Sequence, residues 1–144
     1  MSWTILAVIV LTLALSWAFF TAQRLNRLHI RVDAALSSLQ SALDRRAAVV
    51  AALEPSVSEL AQHAESIRLT PALFDDRAAA ERKLMESVTS EHPLIVDASA
   101  RVQLAHRFYN DAVSDTRAVR TRPLVRALRL GGTARLPVYF ELRS

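Results

Sequence analysis

The first 23 residues carry no charged side chain, and Trp3 to Phe20 is an unbroken run of apolar, Ser, Thr and Trp residues. A helix over those 18 residues rises about 1.5 Å per residue and covers roughly 27 Å, close to the ~30 Å hydrocarbon core of a bilayer. Ten of them (Ile5, Leu6, Val8, Ile9, Val10, Leu11, Leu13, Leu15, Phe19 and Phe20) are Leu, Ile, Val or Phe. Together these favour insertion by roughly 3 to 6 kcal/mol. Trp3 and Trp17 stand near the two ends, where indole rings prefer the membrane interface. A cleaved leader needs a positive start and small residues at a cleavage site; Met1-Ser2-Trp3 has no charged side chain, and Ala14 and Ser16 lie inside the apolar core. The expectation is a retained single-pass anchor over residues 1–23. Arg24, Arg27 and Arg31 follow the span and no basic side chain precedes it. The positive-inside rule therefore places the N-terminus outside and residues 24–144 in the cytoplasm of a cell-membrane protein.

Beyond Gln23 the apolar residues contract to one stripe. Val32, Leu36, Leu39, Leu43, Val50, Leu53, Val57 and Leu60 recur at helical spacing, as an amphipathic, coiled-coil-like helix requires. Positions 36, 43, 50 and 57 are all apolar, whereas the companion series 39, 46, 53 and 60 includes Arg46. That interruption favours packing within the chain over an unbroken dimeric zipper. Pro55 predicts a kink or break near Leu53 and Glu54, which leaves open one bent rod from Arg24 to about Arg68 or two helices. Thr70-Pro71 ends this stretch. Asp75 or Asp76 then caps a second helix running through Ala78, Leu84, Met85 and Val88 to about Ser90. A third begins near Pro93, carries Leu94, Ile95, Ala98, Val102, Ala105, Tyr109, Ala112 and Val113 on its apolar face, and ends near Arg120. Arg122-Pro123 opens a short helix over Leu124 to Leu130, stopped by Gly131-Gly132. The fold expected is all-α, a transmembrane helix followed by an antiparallel bundle of three or four helices over residues 24–130, with an extended tail over 131–144.

Several kinds of chemistry are excluded by composition. There is no cysteine, hence no disulfide or thiolate metal site. The only two glycines are adjacent, so no glycine-rich phosphate loop can form. His29, His63, His92 and His106 lack the Glu-x-x-His spacing of bundle metal sites. Glu59 and His63 form an acid–histidine pair a helical turn apart, too few ligands for a metal. Ser56, Ser58, Ser66, Ser87 and Ser114 have no neighbouring glycine to shape an oxyanion hole. No catalytic residue, cofactor or metal is expected, although a pair of carboxylates assembled in space leaves no sequence trace.

Charge is uneven: residues 24–116 hold 11 Lys or Arg against 13 Asp or Glu, and residues 117–144 hold 7 against 1. Arg122, Arg126 and Arg129 alternate with leucines, which fits a solvated face or a surface that meets anionic lipid headgroups. Nucleic acid is not an expected partner, because no aromatic platforms are interleaved with these arginines. The segment Arg107-Phe108-Tyr109-Asn110-Asp111-Ala112-Val113 pairs Arg107 with Asp111 across a turn and puts Tyr109 and Val113 on one face. Asn110 suits neither an ordinary core nor an ordinary surface. It is expected to fix helix register by a hydrogen bond, against the Arg31-Val32-Asp33 stretch.

With the anchor, Arg31-Val32-Asp33, Arg45-Arg46, Arg107 to Val113, and Pro137-Val138-Tyr139-Phe140-Glu141, the chain resembles the LemA family of bacterial membrane-anchored helical proteins as a divergent member. The resemblance covers nearly the whole chain. Where the family continues Asp-Leu-Ile-Pro-Asn-Leu after the arginine pair, this sequence has Ala48 to Leu53 and moves proline to position 55. What the resemblance implies is a helical bundle without enzymatic activity or cofactor, with Arg31, Asp33, Arg107, Tyr109, Asn110, Asp111, Tyr139 and Phe140 as structural determinants. Tyr139 and Phe140 would dock the tail. The function expected is an interaction or scaffold domain whose partners are the bilayer and a membrane or cytoplasmic protein. The alternatives are an enzyme, or an accessory subunit of one, acting on membrane components, and a lipid-surface sensor using the basic end.

Overall fold

The computed structural model describes residues 1–132 and 134–142; the expected tail therefore includes three positions, 133, 143 and 144, outside the described residues. All regular elements among the described residues are helical. The apolar leader and the striped segment form one helix, α1, Ser2–Leu53, which at about 1.5 Å per residue is about 78 Å long. No glycine or proline interrupts those 52 residues, so the backbone has no reason to break. The boundary expected after Gln23 is a change of surface within an intact rod. Its leading segment is long and apolar enough to cross a membrane, and the large apolar side chains from Trp3 to Phe20 are all exposed. From Leu25 onward one face is buried, at Leu25, Val32, Leu39, Leu43, Arg46, Ala47 and Val50.

Pro55 separates two helices. Its ring pushes Glu54 to φ −133°, ψ 79°, a 3-10 turn follows over Pro55–Val57, and α2 (Ser58–Ser66) starts on a new axis. The Glu54 carboxylate closes the corner by accepting from the Thr89 amide (3.1 Å) and hydroxyl. These bonds hold its pKa below the ordinary carboxylate value. A second 3-10 turn, Pro71–Leu73, leads into α3 (Phe74–Ser87). Asp75 and Asp76 lie inside its first turn and make no cap bond, correcting the expected capping role. They act there through the helix dipole, because the preceding 3-10 turn already directs the chain into the helix.

Helix α4, Pro93–Arg120, spans the expected range, with His92 Nδ1 accepting from the Leu94 amide. Leu94 itself is exposed, and the buried stripe starts at Ile95. Helix α5, Pro123–Ala127, stops earlier than the glycines. Arg129 adopts φ +50° while the Leu130 amide reaches back to the Val125 carbonyl at 3.2 Å. Arg129 thus takes the left-handed position that a helix end commonly gives to glycine.

Packing is strongest between α1 and α4. Arg31 meets Asp115 at 2.7 Å, and the Thr116 hydroxyl faces the Leu28 carbonyl at 3.4 Å. Farther along α1, Ala47 and Val50 share a cluster with Val57, Ala61, Ala64, Leu84 and Ile95. A central cluster joins Leu39, Leu43, Val102, Tyr109, Val113, Phe74 and Phe140. A third, of Leu25, Val119 and Val125, lies where the apolar leader ends. His29 in this layer is held below its ordinary value of 6.5 by burial first and by the nearby Arg120 charge second, with Asp33 opposing.

Arg46, the interruption in the stripe, is buried with a partner. It donates to Glu81 at 3.0 Å, and Arg77 donates to the other Glu81 oxygen at 3.0 Å, to Asp44 at 2.8 Å and to the Ile67 carbonyl at 2.8 Å. Arg77 and Glu81 are fully enclosed. Removing Glu81 strands Arg46 and leaves Arg77 with Asp44 as its one acidic partner, a loss of about 3–5 kcal/mol. Chemical denaturation of the full chain in detergent should show that loss for Glu81→Gln. Asp44→Asn, at a half-open position, should cost about 1 kcal/mol.

Candidate functional site: a tail clamped along helix α4

Residues 134–142 form no regular element and have no neighbouring strand among the described residues, so backbone groups there that water does not reach need side-chain partners. One stripe of α4 supplies them. His106, Tyr109, Asn110, Arg117 and Arg120 lie within a 15-residue stretch of the helix, and each reaches a main-chain carbonyl of residues 134–140. Asn110 is the centre of this clamp. Its Oδ1 accepts from the Phe140 amide at 3.1 Å and its Nδ2 donates to the Phe140 carbonyl at 3.2 Å. One carboxamide thereby does for Phe140 what a paired strand residue would do. The His106 Nε2 faces the same carbonyl; an oxygen that can only accept requires the imidazole proton there.

Tyr109 donates to the Val138 carbonyl at 2.6 Å, Arg117 to that of Pro137 at 2.7 Å, and Arg120 to that of Ala134. Burial pushes the Tyr109 phenol up to about 12, and the Asp33 carboxylate adds to the rise. It therefore stays a neutral donor across physiological pH. Arg120 passes over Gly131, where a Cβ would stand 2.8 Å from the guanidinium Nε; the glycine keeps this path open.

Along the tail Phe140 turns inward and Tyr139 outward. Phe140 is fully buried, edge-on to Phe74 at 5.2 Å and to His106 at 5.7 Å, and Phe74 is edge-on to Tyr109 at 6.0 Å. Tyr139 pairs its hydroxyl with Ser114 at 2.9 Å, while the Arg117 guanidinium sits 5.8 Å from its ring centre. Both aromatic residues dock the tail, one by burial and one along the rim.

Of the residues singled out from sequence, Tyr109, Asn110, Tyr139 and Phe140 converge here. Asn110 uses its side chain on the tail rather than on Arg31-Val32-Asp33, correcting the expected register contact. The helix register at that level carries instead the Arg31–Asp115 pair. Arg107 and Asp111 approach to 4.0 Å on the exposed side of α4. Arg122, Arg126 and Arg129 are exposed at and beyond α5. His106, Arg117, Arg120 and the Arg46–Glu81–Arg77–Asp44 network were not singled out for these roles. The i, i+4 pairing of Arg77 with Glu81 and the arginine in the apolar stripe were the available signals.

A groove of about 500 Å³ lies beside the clamp, lined by Arg46, Glu81, Arg82, Met85, Glu86, Ser99, Gln103, His106 and Leu142. Its two acids do not converge on shared chemistry. Each Glu81 oxygen is held by an arginine, and Glu86 is solvated. Both His106 and the clamp amide are committed to Phe140. The arrangement holds the chain's own tail by its backbone. No family model, curated protein or solved structure matches the chain.

Loss of the carboxamide leaves the Phe140 backbone unpaired. Asn110→Ala should destabilise the full chain by about 1–3 kcal/mol and speed hydrogen exchange at residues 134–142 before the α1–α4 core. Asn110→Ala and Phe140→Ala together should cost less than their sum; denaturation of both single variants and the double variant measures the difference.

Proposed function

We propose that this chain is a non-enzymatic, single-pass membrane protein whose helical domain serves as an interaction scaffold of the LemA type. The observation that carries the reading is the exposed apolar surface of α1 from Trp3 to Phe20. Such a surface calls for an apolar cover, and lipid can supply it because the helix already satisfies its own backbone groups. The bundle reading is an antiparallel one. Its support is that positions rising along α1, from Leu28 and Arg31 to Ala47 and Val50, meet positions falling along α4, from Thr116 and Asp115 to Ile95.

The role is one of presentation. The rod leaves the bilayer without a flexible joint, holds three apolar clusters in series, and displays the clamped tail on a fixed face. Arg24, Arg27 and Arg31 immediately after the span orient residues 24–144 toward the cytoplasm, with a membrane or cytoplasmic protein as partner. The Arg107–Val113 and Pro137–Glu141 segments, which carry the LemA resemblance, meet in the clamp.

The full chain should remain in the membrane pellet through alkaline carbonate extraction, and a chain lacking residues 1–23 should be released. In intact cells a membrane-impermeant maleimide should label a cysteine placed at Ser2 and reach one placed at Ser144 only after permeabilisation. Extraction of the full chain into carbonate overturns the anchor; labelling of the Ser144 position in intact cells overturns the orientation.

A further inference from the structure

We propose that α5 and the turn after it form a second membrane contact, a foot that rests on the anionic headgroups of the leaflet next to the bundle. This inference rests on the membrane-anchor reading of α1.

Depth comes first. Val125 of α5 packs with Leu25 and Val119, and Leu25 lies five residues after Phe20, or about 7.5 Å along a continuous helix. The headgroup layer outside the hydrocarbon is roughly 5–8 Å thick. The end of α4 reaches the same level, because Thr116 stands opposite Leu28 and α4 continues to Arg120. An anchor in the bilayer thus carries α5 to headgroup depth without any rearrangement.

Surface chemistry comes second. Among the α5 residues only Val125 is buried, while Leu124 and, just past the helix, Leu128 are 63% and 56% exposed. Arg122, Arg126 and Arg129 are also exposed. Exposed leucines framed by arginines match a surface whose outer layer is anionic and whose next layer is apolar. The charge balance agrees, since residues 117–144 hold 7 basic side chains against 1 acidic. These arginines make no ion pair among the described residues. Arg129 also holds a left-handed backbone, which turns the chain back toward the bundle as soon as the foot is made.

The absence of cysteine and the presence of only Trp3 and Trp17 allow anchor and foot to be read separately. The full chain carrying Leu128→Cys, labelled with a polarity-sensitive dye, is reconstituted in phosphatidylcholine vesicles and in vesicles with roughly one-third phosphatidylglycerol. Acyl chains brominated in the bilayer core quench tryptophan where the anchor is inserted. The expected result is tryptophan quenching in both vesicles and a blue-shifted dye in the anionic ones, reversed by high salt. Arg122→Glu, Arg126→Glu and Arg129→Glu together should lower the docked-to-undocked ratio by roughly 100-fold and leave tryptophan quenching unchanged. All three positions are exposed, and the wild-type comparison between the two lipids stands without that variant. Quenched tryptophan with a dye that stays water-exposed in anionic vesicles overturns the foot and leaves the anchor intact. Unquenched tryptophan overturns the anchor and the foot with it.

Discussion

Helix α1 carries two different surfaces on one unbroken backbone. Its first stretch is apolar on every side, and its remainder keeps a single apolar stripe, yet no helix-breaking residue stands at the change. Hydrogen bonds therefore run from residue to residue through the change of surface; in the proposed membrane setting an interruption there would leave polar groups facing lipid. The consequence reaches the whole domain. Because α4 packs on this same rod, the proposed anchor would set the height of α4 and of the segments packed on it.

Away from the rod, order depends on polar groups that the fold encloses. Arg46 occupies a stripe position that a leucine would fill in a simple bundle, and Glu81 and Arg77 meet it there. Such a network adds little stability relative to apolar packing, but its geometry admits few alternative registers. Asn110 does the equivalent for the tail. A segment without a sheet would otherwise leave backbone groups unpaired; the α4 stripe binds four of its carbonyls and the Phe140 amide, and the aromatic cluster around Phe140 closes over the contact.

Most of the helical plan was legible in the sequence because its signals are local. Pro55, Pro71 and Pro93 each constrain their own φ and remove a donor, and the elements change beside each of them. The exposed leader needed only a count of uncharged residues. What depends on distant partners was harder to read. Asn110 stood out as a hydrogen-bonding residue, but its partner, Phe140, lies 30 residues along the chain, and periodicity says nothing about which segment an amide will meet. Arg46 looked like a flaw in a seam because Glu81 is 35 residues away. The end of α5 was misplaced for a different reason: glycines are the usual left-handed residues, and here Arg129 adopts that geometry before they are reached.

The most direct test is a nitroxide scan of the full chain in lipid bilayers, one label at a time from Ile5 to Leu43, comparing collisions with oxygen and with a water-soluble nickel complex. The account predicts oxygen access and nickel exclusion at every position from Ile5 to Phe20. Beyond these, protection should recur in helical phase at Leu25, Val32, Leu39 and Leu43. Nickel access throughout the leader, or a slip of phase between Phe20 and Leu25, would contradict it.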